Sequence, residues 1–221
     1  MMTILDLTHV LKEDIPIFPG TEPPTLEAAC SCEKEGFAET KICMYSHVGT
    51  HMDAPAHLFT GFATLDQIPA AQFCGKAVVV DCTPDPQENA ACAITMRDIA
   101  PHKALADQAD FLLFHTGWSD KWDTGDYLLD RYPCMDAEVT EYLIRMGKKG
   151  VGVDCISIDR LHDGGLRNHR ALLQTNSMVI IENLTHLKPL VGKLFYFFAM
   201  PLFYRKADGA PVRAIAIYEA L

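Results

Sequence analysis

Three of the nine histidines fall within eleven residues, the segment His47, Val48, Gly49, Thr50, His51, Met52, Asp53, Ala54, Pro55, Ala56 and His57. Imidazole and carboxylate are the usual ligands of Zn²⁺, Mn²⁺ and similar ions. The chemistry open to this segment is that of a metal ion, which activates water and polarises a carbonyl. Two plainer readings compete with it. One is a histidine-rich surface strand. The other is a closed structural zinc site, which favours four ligands and often cysteine. No cysteine lies within the segment.

The spacing says which element must position these groups. His47, His51, Asp53 and His57 are all odd-numbered. Extended backbone sends alternate side chains to one face. On a helix, at ~100° per residue, Asp53 and His57 would swing away from His47 and His51. Pro55 also opposes a helix here. Tyr45 to Asp53 is therefore expected to be extended, with a turn near Pro55 returning His57 to the site. Gly49 permits close approach of backbone or substrate. Thr50 can hold a ligating group in place.

A second candidate half lies downstream. Glu182 ends the apolar run Ser177 to Glu182, where a buried carboxylate is costly unless paired or metal-bound. Ends of strands in α/β sheets are common ligand positions. His169 lies in a short helix upstream, and His162, beside Asp163, Gly164 and Gly165, competes with it. A cap or salt-bridge role for Glu182 is the alternative.

The pattern HxGTHxDxPxH resembles the signature of the metal-dependent cyclase-family hydrolases, which include bacterial kynurenine formamidases and isatin hydrolases. His47, Gly49, Thr50, His51, Asp53, Pro55 and His57 all match. The likeness extends along the chain, through Asp6 to His9, Thr116 to Trp122, Gly152 to Asp159, the HRALL…IIEN pattern, and Asp208 to Ile217. The resemblance implies a swivelling β/β/α architecture and a homodimer or homotetramer. It implies two metals bridged by Asp53 and Glu182, with His47 and His51 completing one and His169 the other. Two Zn²⁺ are expected, with Mn²⁺ as the alternative. It places an acid/base residue at His57, beyond the proline turn, where it can carry a proton to an amide leaving group. It also places an aromatic at Phe18, usually Trp in the formamidases. Trp118 and Trp122 are further pocket candidates, each also suited to core packing.

The expected function is hydrolysis of an amide, formamide or cyclic amide, N-formylkynurenine being the formamidase substrate. Alternatives are an isatin-type lactam or lactone hydrolase, and a metal-binding protein without turnover. A cysteine hydrolase using Cys155 beside Asp154 is a further rival.

Composition suits this reading. The 221 residues are 49% hydrophobic with net charge −10. That length supports one domain, 1–221, with a sizeable core. No basic patch for nucleic acid is visible. The most apolar run, Leu194 to Phe203, is too short for a membrane span. No signal-peptide core opens the chain, so a cytoplasmic protein is expected, with no membrane partner. The eight cysteines, Cys92 among them, are scattered and expected to be reduced and mostly buried.

Strands are expected at Ile4 to Leu7, Thr25 to Cys30, Glu39 to Tyr45, Lys76 to Asp81, Asp110 to Thr116, Val151 to Ile156, Ser177 to Glu182, Leu194 to Pro201 and Val212 to Tyr218. Thr95 is expected to cap a helix start, Asp136 a helix stopped by Gly147, and Asn168 the short helix carrying His169. The fold class is α/β, mixed sheets flanked by helices.

Overall fold

A computed structural model describes residues 1–84 and 93–219, so Cys92 lies outside the described residues. The strands are β1 (Met2–Asp6), β2 (Thr25–Cys30), β3 (Glu39–Cys43), β4 (His51–Asp53), β5 (Cys74–Asp81), β6 (Ala93–Ile94), β7 (Phe111–His115), β8 (Cys134–Met135), β9 (Gly150–Val153), β10 (Val179–Glu182), β11 (Leu194–Pro201) and β12 (Gly209–Glu219). The α-helices are α1 (Met96–Ile99), α2 (Lys103–Gln108), α3 (Ala137–Arg145) and α4 (Arg167–Leu173).

The main sheet runs β1-β12-β11-β5-β7-β9-β10-β4, and β4 pairs with β12 as well as β10. That extra pairing closes seven strands into a ring, so β4 has no free edge. Neighbours β5, β7, β9 and β10 are parallel, while β4, β11 and β12 join antiparallel. Side-chain alternation then sorts the sequence. Met52, Val79, Leu113, Ile181 and Phe197 fill the ring interior. Val78, Val80, Phe114, Val151 and Ile180 face outward under the helices. Strands covered on both faces read as continuous apolar runs, which is why Lys76 to Asp81 is so uniformly β-branched. Closure demands a small residue where walls meet. A Cβ at Gly152 would lie 2.6 Å from both Leu113 and Leu184.

The helices follow their local signals. Asp136 accepts from Val139 N at 2.9 Å and caps α3. Gly147 takes φ +61° just past its end. Thr95 and Asp98 form a reciprocal cap on α1. Asn168 does not cap α4, which begins at Arg167 after a left-handed Leu166. Asp159 reaches over instead and accepts from the N–H groups of both Asn168 and His169 at 3.0 Å.

Two further expectations are corrected. Tyr45 to Thr50 is not extended strand: turn and bend run from Ser46 to Thr50, with Gly49 at φ +69°, and only His51 to Asp53 is strand. Of the described cysteines only Cys82 and Cys155 are buried, while Cys32 and Cys43 are exposed beside or on the β2–β3 hairpin. Among the described residues, no helix is long and apolar enough to cross a membrane.

Candidate metal centre

Strand register builds the centre. His51 on β4 lies opposite Glu182 on β10, and Asp53 lies opposite Ile180. Met52 points into the ring, so His51 and Asp53 share the outer face with Glu182. The turn at Gly49 brings His47 back over Asp53, at 2.6 Å from its Oδ1. A single 3₁₀ turn, Pro55–His57, carries Pro55 in its first turn and returns His57 to the same place. Helix α4 delivers His169 from the other side.

The resulting cluster is almost dry. Asp53 is 1% exposed, His51 3%, His169 4% and Glu182 5%. His51 Nε2 lies 3.3 Å from Asp53 Oδ1 and 3.4 Å from Glu182 Oε2. His169 Nε2 lies 3.5 Å from Asp53 Oδ2 and 3.3 Å from Glu182 Oε1. These contacts exceed ordinary hydrogen-bond lengths. They match the edge of a tetrahedron around an ion with bonds of about 2.0–2.1 Å, which is roughly 3.3 Å. Asp53 Oδ2 is buried without a hydrogen-bond partner. An orphaned carboxylate oxygen in a dry site calls for a cation. The donor set, three imidazoles and two carboxylates, suits Zn²⁺, Mn²⁺ or Fe²⁺. The residues present therefore fit a metal. His47, His51 and Asp53 form one candidate triplet, and Asp53, His169 and Glu182 another.

The remaining ring nitrogens are anchored. His51 Nδ1 donates to Gly49 O at 2.9 Å. His169 Nδ1 lies 2.8 Å from Asp159 Oδ2. Such partners fix the tautomer and the ring plane. Glu182 Oε1 also accepts from Ile158 N at 2.9 Å.

Without an ion, protons compensate the carboxylates. Burial disfavours the imidazolium at His47, but the charge of Asp53 and bonds to Asp208 and Asp53 raise it to about 9. Burial is likewise outweighed at His51, which Asp53 and Glu182 raise to about 10. His169 rises for similar reasons, led after burial by Asp159. His57 differs: burial dominates and lowers its pKa, so its ring is neutral at pH 7.

A cavity of about 430 Å³ opens onto the cluster. Phe18 and Tyr45 line it and are 43% and 54% exposed. His57 lines it too, with its ring centroid 4.0 Å from that of His47. Trp118 does not line it. Its Nε1 donates to Tyr127 O at 2.9 Å, its ring meets Tyr132 edge-on, and Lys121 Nζ lies 3.6 Å from the ring centre. Trp122 is also core, stacked under His9 at 3.9 Å. His162 stands on the surface, with its side chain 85% exposed and paired to Asp130. The structure thus brings His169, and not His162, to Glu182. Cys155 is fully buried, and burial pushes its thiol well up, which removes it as a thiolate nucleophile.

Sequence reasoning missed Asp159 and Asp208 as site residues. Asp208 Oδ2 lies 3.0 Å from His47 Nε2, at a separation of 161 residues. No periodicity reports such a contact. The Asp-Gly pair that opens β12 is the only local hint.

Comparison with known proteins places the chain. The family model described as "Putative cyclase" matches residues 5–160. An uncharacterised protein of Methanocaldococcus jannaschii is 34% identical, over 98% of this chain and 100% of that one. A kynurenine formamidase of Bacillus cytotoxicus is 28% identical, over 96% of this chain and 95% of that one. The structure of isatin hydrolase A from Labrenzia aggregata, bound to benzyl benzoate, superposes with a TM-score of 0.86. It is 26% identical and covers 98% of this chain and 93% of that chain. On the family match, which spans well over half of its residues, this chain belongs to the cyclase family.

Proposed function

We propose that this chain, as one domain spanning 1–221, is a metal-dependent hydrolase cleaving the C–N bond of a small amide or formamide. The observation that carries the reading is the set His47, His51, Asp53, His169 and Glu182, all but His47 buried, with ligand atoms close enough to share ions and Asp53 Oδ2 unpaired. His47, His51, Asp53, His169 and Glu182 would hold the ions, Asp53 being common to both candidate triplets. When bound, such ions, here two Zn²⁺ or alternatively Mn²⁺, lower the pKa of water toward ~7 and polarise the scissile carbonyl.

The chain's own groups do the rest. His57 faces the cavity as a neutral imidazole, ready to take a proton and return it to the leaving nitrogen. Phe18 and Tyr45 offer aromatic surface to a substrate ring. The dry floor of the cavity strengthens each electrostatic contact there.

N-formylkynurenine is the first substrate to test, given the formamidase relatives. That would place the enzyme in tryptophan catabolism. A cyclic amide such as isatin is the second, favoured by the structural likeness to isatin hydrolase A. The protein is read as cytoplasmic, acting without nucleic-acid or membrane partners. A homodimer or homotetramer is supported by apolar side chains exposed on β1 and β11, with Ile4 64%, Tyr196 57% and Met200 43% exposed.

The test is hydrolysis of both compounds by purified protein, before and after chelator treatment. Turnover of one, lost with chelator and restored by Zn²⁺ or Mn²⁺, is the expected result. Bound metal without turnover of any amide, lactam or lactone would favour a non-catalytic metal protein instead.

A further inference from the structure

An imidazole that faces a metal needs its second ring nitrogen held. His51 is held by Gly49 O and His169 by Asp159, which is 4% exposed. His47 is oriented the other way round. Its Nδ1 faces Asp53 Oδ1, and its Nε2 faces Asp208 Oδ2 at 3.0 Å. Asp208 also accepts from Ser46 Oγ at 3.4 Å and lies 4.0 Å from His57 Nδ1. Its side chain is 47% exposed, unlike the partners of His51 and His169.

The next residue completes the arrangement. Gly209 lies opposite Asp53 where β12 pairs with β4. A Cβ at Gly209 would sit 2.7 Å from His47 Nε2 and 2.8 Å from its Nδ1. The ring therefore rests on bare backbone, a position that any side chain at 209 would take from it.

We infer that Asp208 and Gly209 form a positioning clamp for His47. Gly209 seats the ring, and Asp208 accepts its Nε2–H so that Nδ1 addresses the position shared with Asp53 and His51. This inference rests on reading His47, His51 and Asp53 as one metal half-site. It adds an asymmetry: His51 and His169 are held by buried partners, whereas His47 is held by a solvent-reachable carboxylate just before β12.

The experiment is a Zn²⁺ titration of metal-stripped protein against a chromophoric chelator, repeated with Co²⁺ to read the ligand field. Wild type, Asp208→Ala, Asp208→Asn and Gly209→Ala are compared. Asp208→Ala is expected to weaken one equivalent by about 10–100-fold and leave the other unchanged. Asp208→Asn keeps an acceptor oxygen and should fall between wild type and Asp208→Ala. Gly209→Ala should weaken the same equivalent and alter the Co²⁺ spectrum. Melting of the metal-free Asp208 variants should stay cooperative. Wild-type affinity for both equivalents in Asp208→Ala would overturn the clamp and leave the metal reading intact. Equal loss of both equivalents would also overturn it. Failure of the wild type to take up Zn²⁺ would remove the metal reading and the clamp with it.

Discussion

Two clusters of buried histidine and aspartate grow from the same sheet, and they are satisfied in opposite ways. At the ends of β7 and β9, Asp154 accepts from His115 Nδ1 at 3.0 Å, Thr116 N at 2.9 Å, Thr116 Oγ1 at 2.5 Å and Gly117 N at 3.0 Å. Its valence is filled by the chain itself. On β4, Asp53 is just as deeply buried; its Oδ1 meets His47 Nδ1 at 2.6 Å, yet Oδ2 has no hydrogen-bond partner and His51 and His169 stand off at 3.3 and 3.5 Å. Residue type and burial are shared by the two clusters, so neither identifies a metal site. An unfilled ligand atom within reach of other ligands does; His9 Nε2 is likewise unpaired, yet it belongs to no such set. Among the described residues, every set of ligand atoms close enough to share an ion draws on the β4 cluster and its rim.

Exchanging carboxylate for amide should separate the two clusters. Asp53→Asn is expected to lose metal and to drop hydrolysis to background, read by elemental analysis and rate assay. Normal metal content in that variant would remove Asp53 from the ligand set. His57→Ala should keep metal while lowering kcat by about 10²–10⁴-fold. Full turnover would end its assignment as acid/base. Asp154→Asn should do the reverse of Asp53→Asn, keeping metal stoichiometry while costing about 1–3 kcal/mol of stability. Loss of metal there would erase the contrast.

The imidazoles sharpen the comparison through pH. His47 and His51 are raised to about 9 and 10, so the folded metal-free protein binds more protons than the unfolded chain above pH 6.5. Their stabilisation is full below 6.5 and lost as pH rises through 9 and 10. His9 behaves oppositely, since burial beside Trp122 holds it near 4. Its contribution is present above 6.5 and lost as pH falls toward 4. Thermal melts in chelator should therefore fall off on both sides of neutrality, and added Zn²⁺ should flatten the alkaline side. An alkaline side that is flat without metal would contradict the protonated cluster. The smallest effect on turnover is expected for Trp118→Phe, which removes the bond to Tyr127 O and part of the ring packed against Tyr132 and Lys121, and should lower the melting temperature with little change in turnover.

Part of this was legible in the sequence. The odd-numbered ligands at 51 and 53 share a face because β4 is a strand, and Asp136 and Gly147 bound a helix as their chemistry directs. The glycine inside the motif misled. Read as extended, residues 45–50 would carry His47 along a strand, whereas Gly49 in the left-handed region folds it back onto Asp53. Trp118 beside Gly117 could be read as a pocket wall, until Tyr127 supplied a backbone acceptor for its indole. Pairing of β4 with β12, which closes the ring and brings Asp208 to His47, joins residues more than 150 apart. Local pattern carries no record of it.

We propose that the β4 cluster holds two metal ions. This is tested most directly by the metal content of protein purified without chelator, with Asp53→Asn and Asp154→Asn beside it. About two equivalents per chain are expected in wild type and Asp154→Asn, and loss in Asp53→Asn. A wild type with no metal, and none taken up on reconstitution, would contradict it.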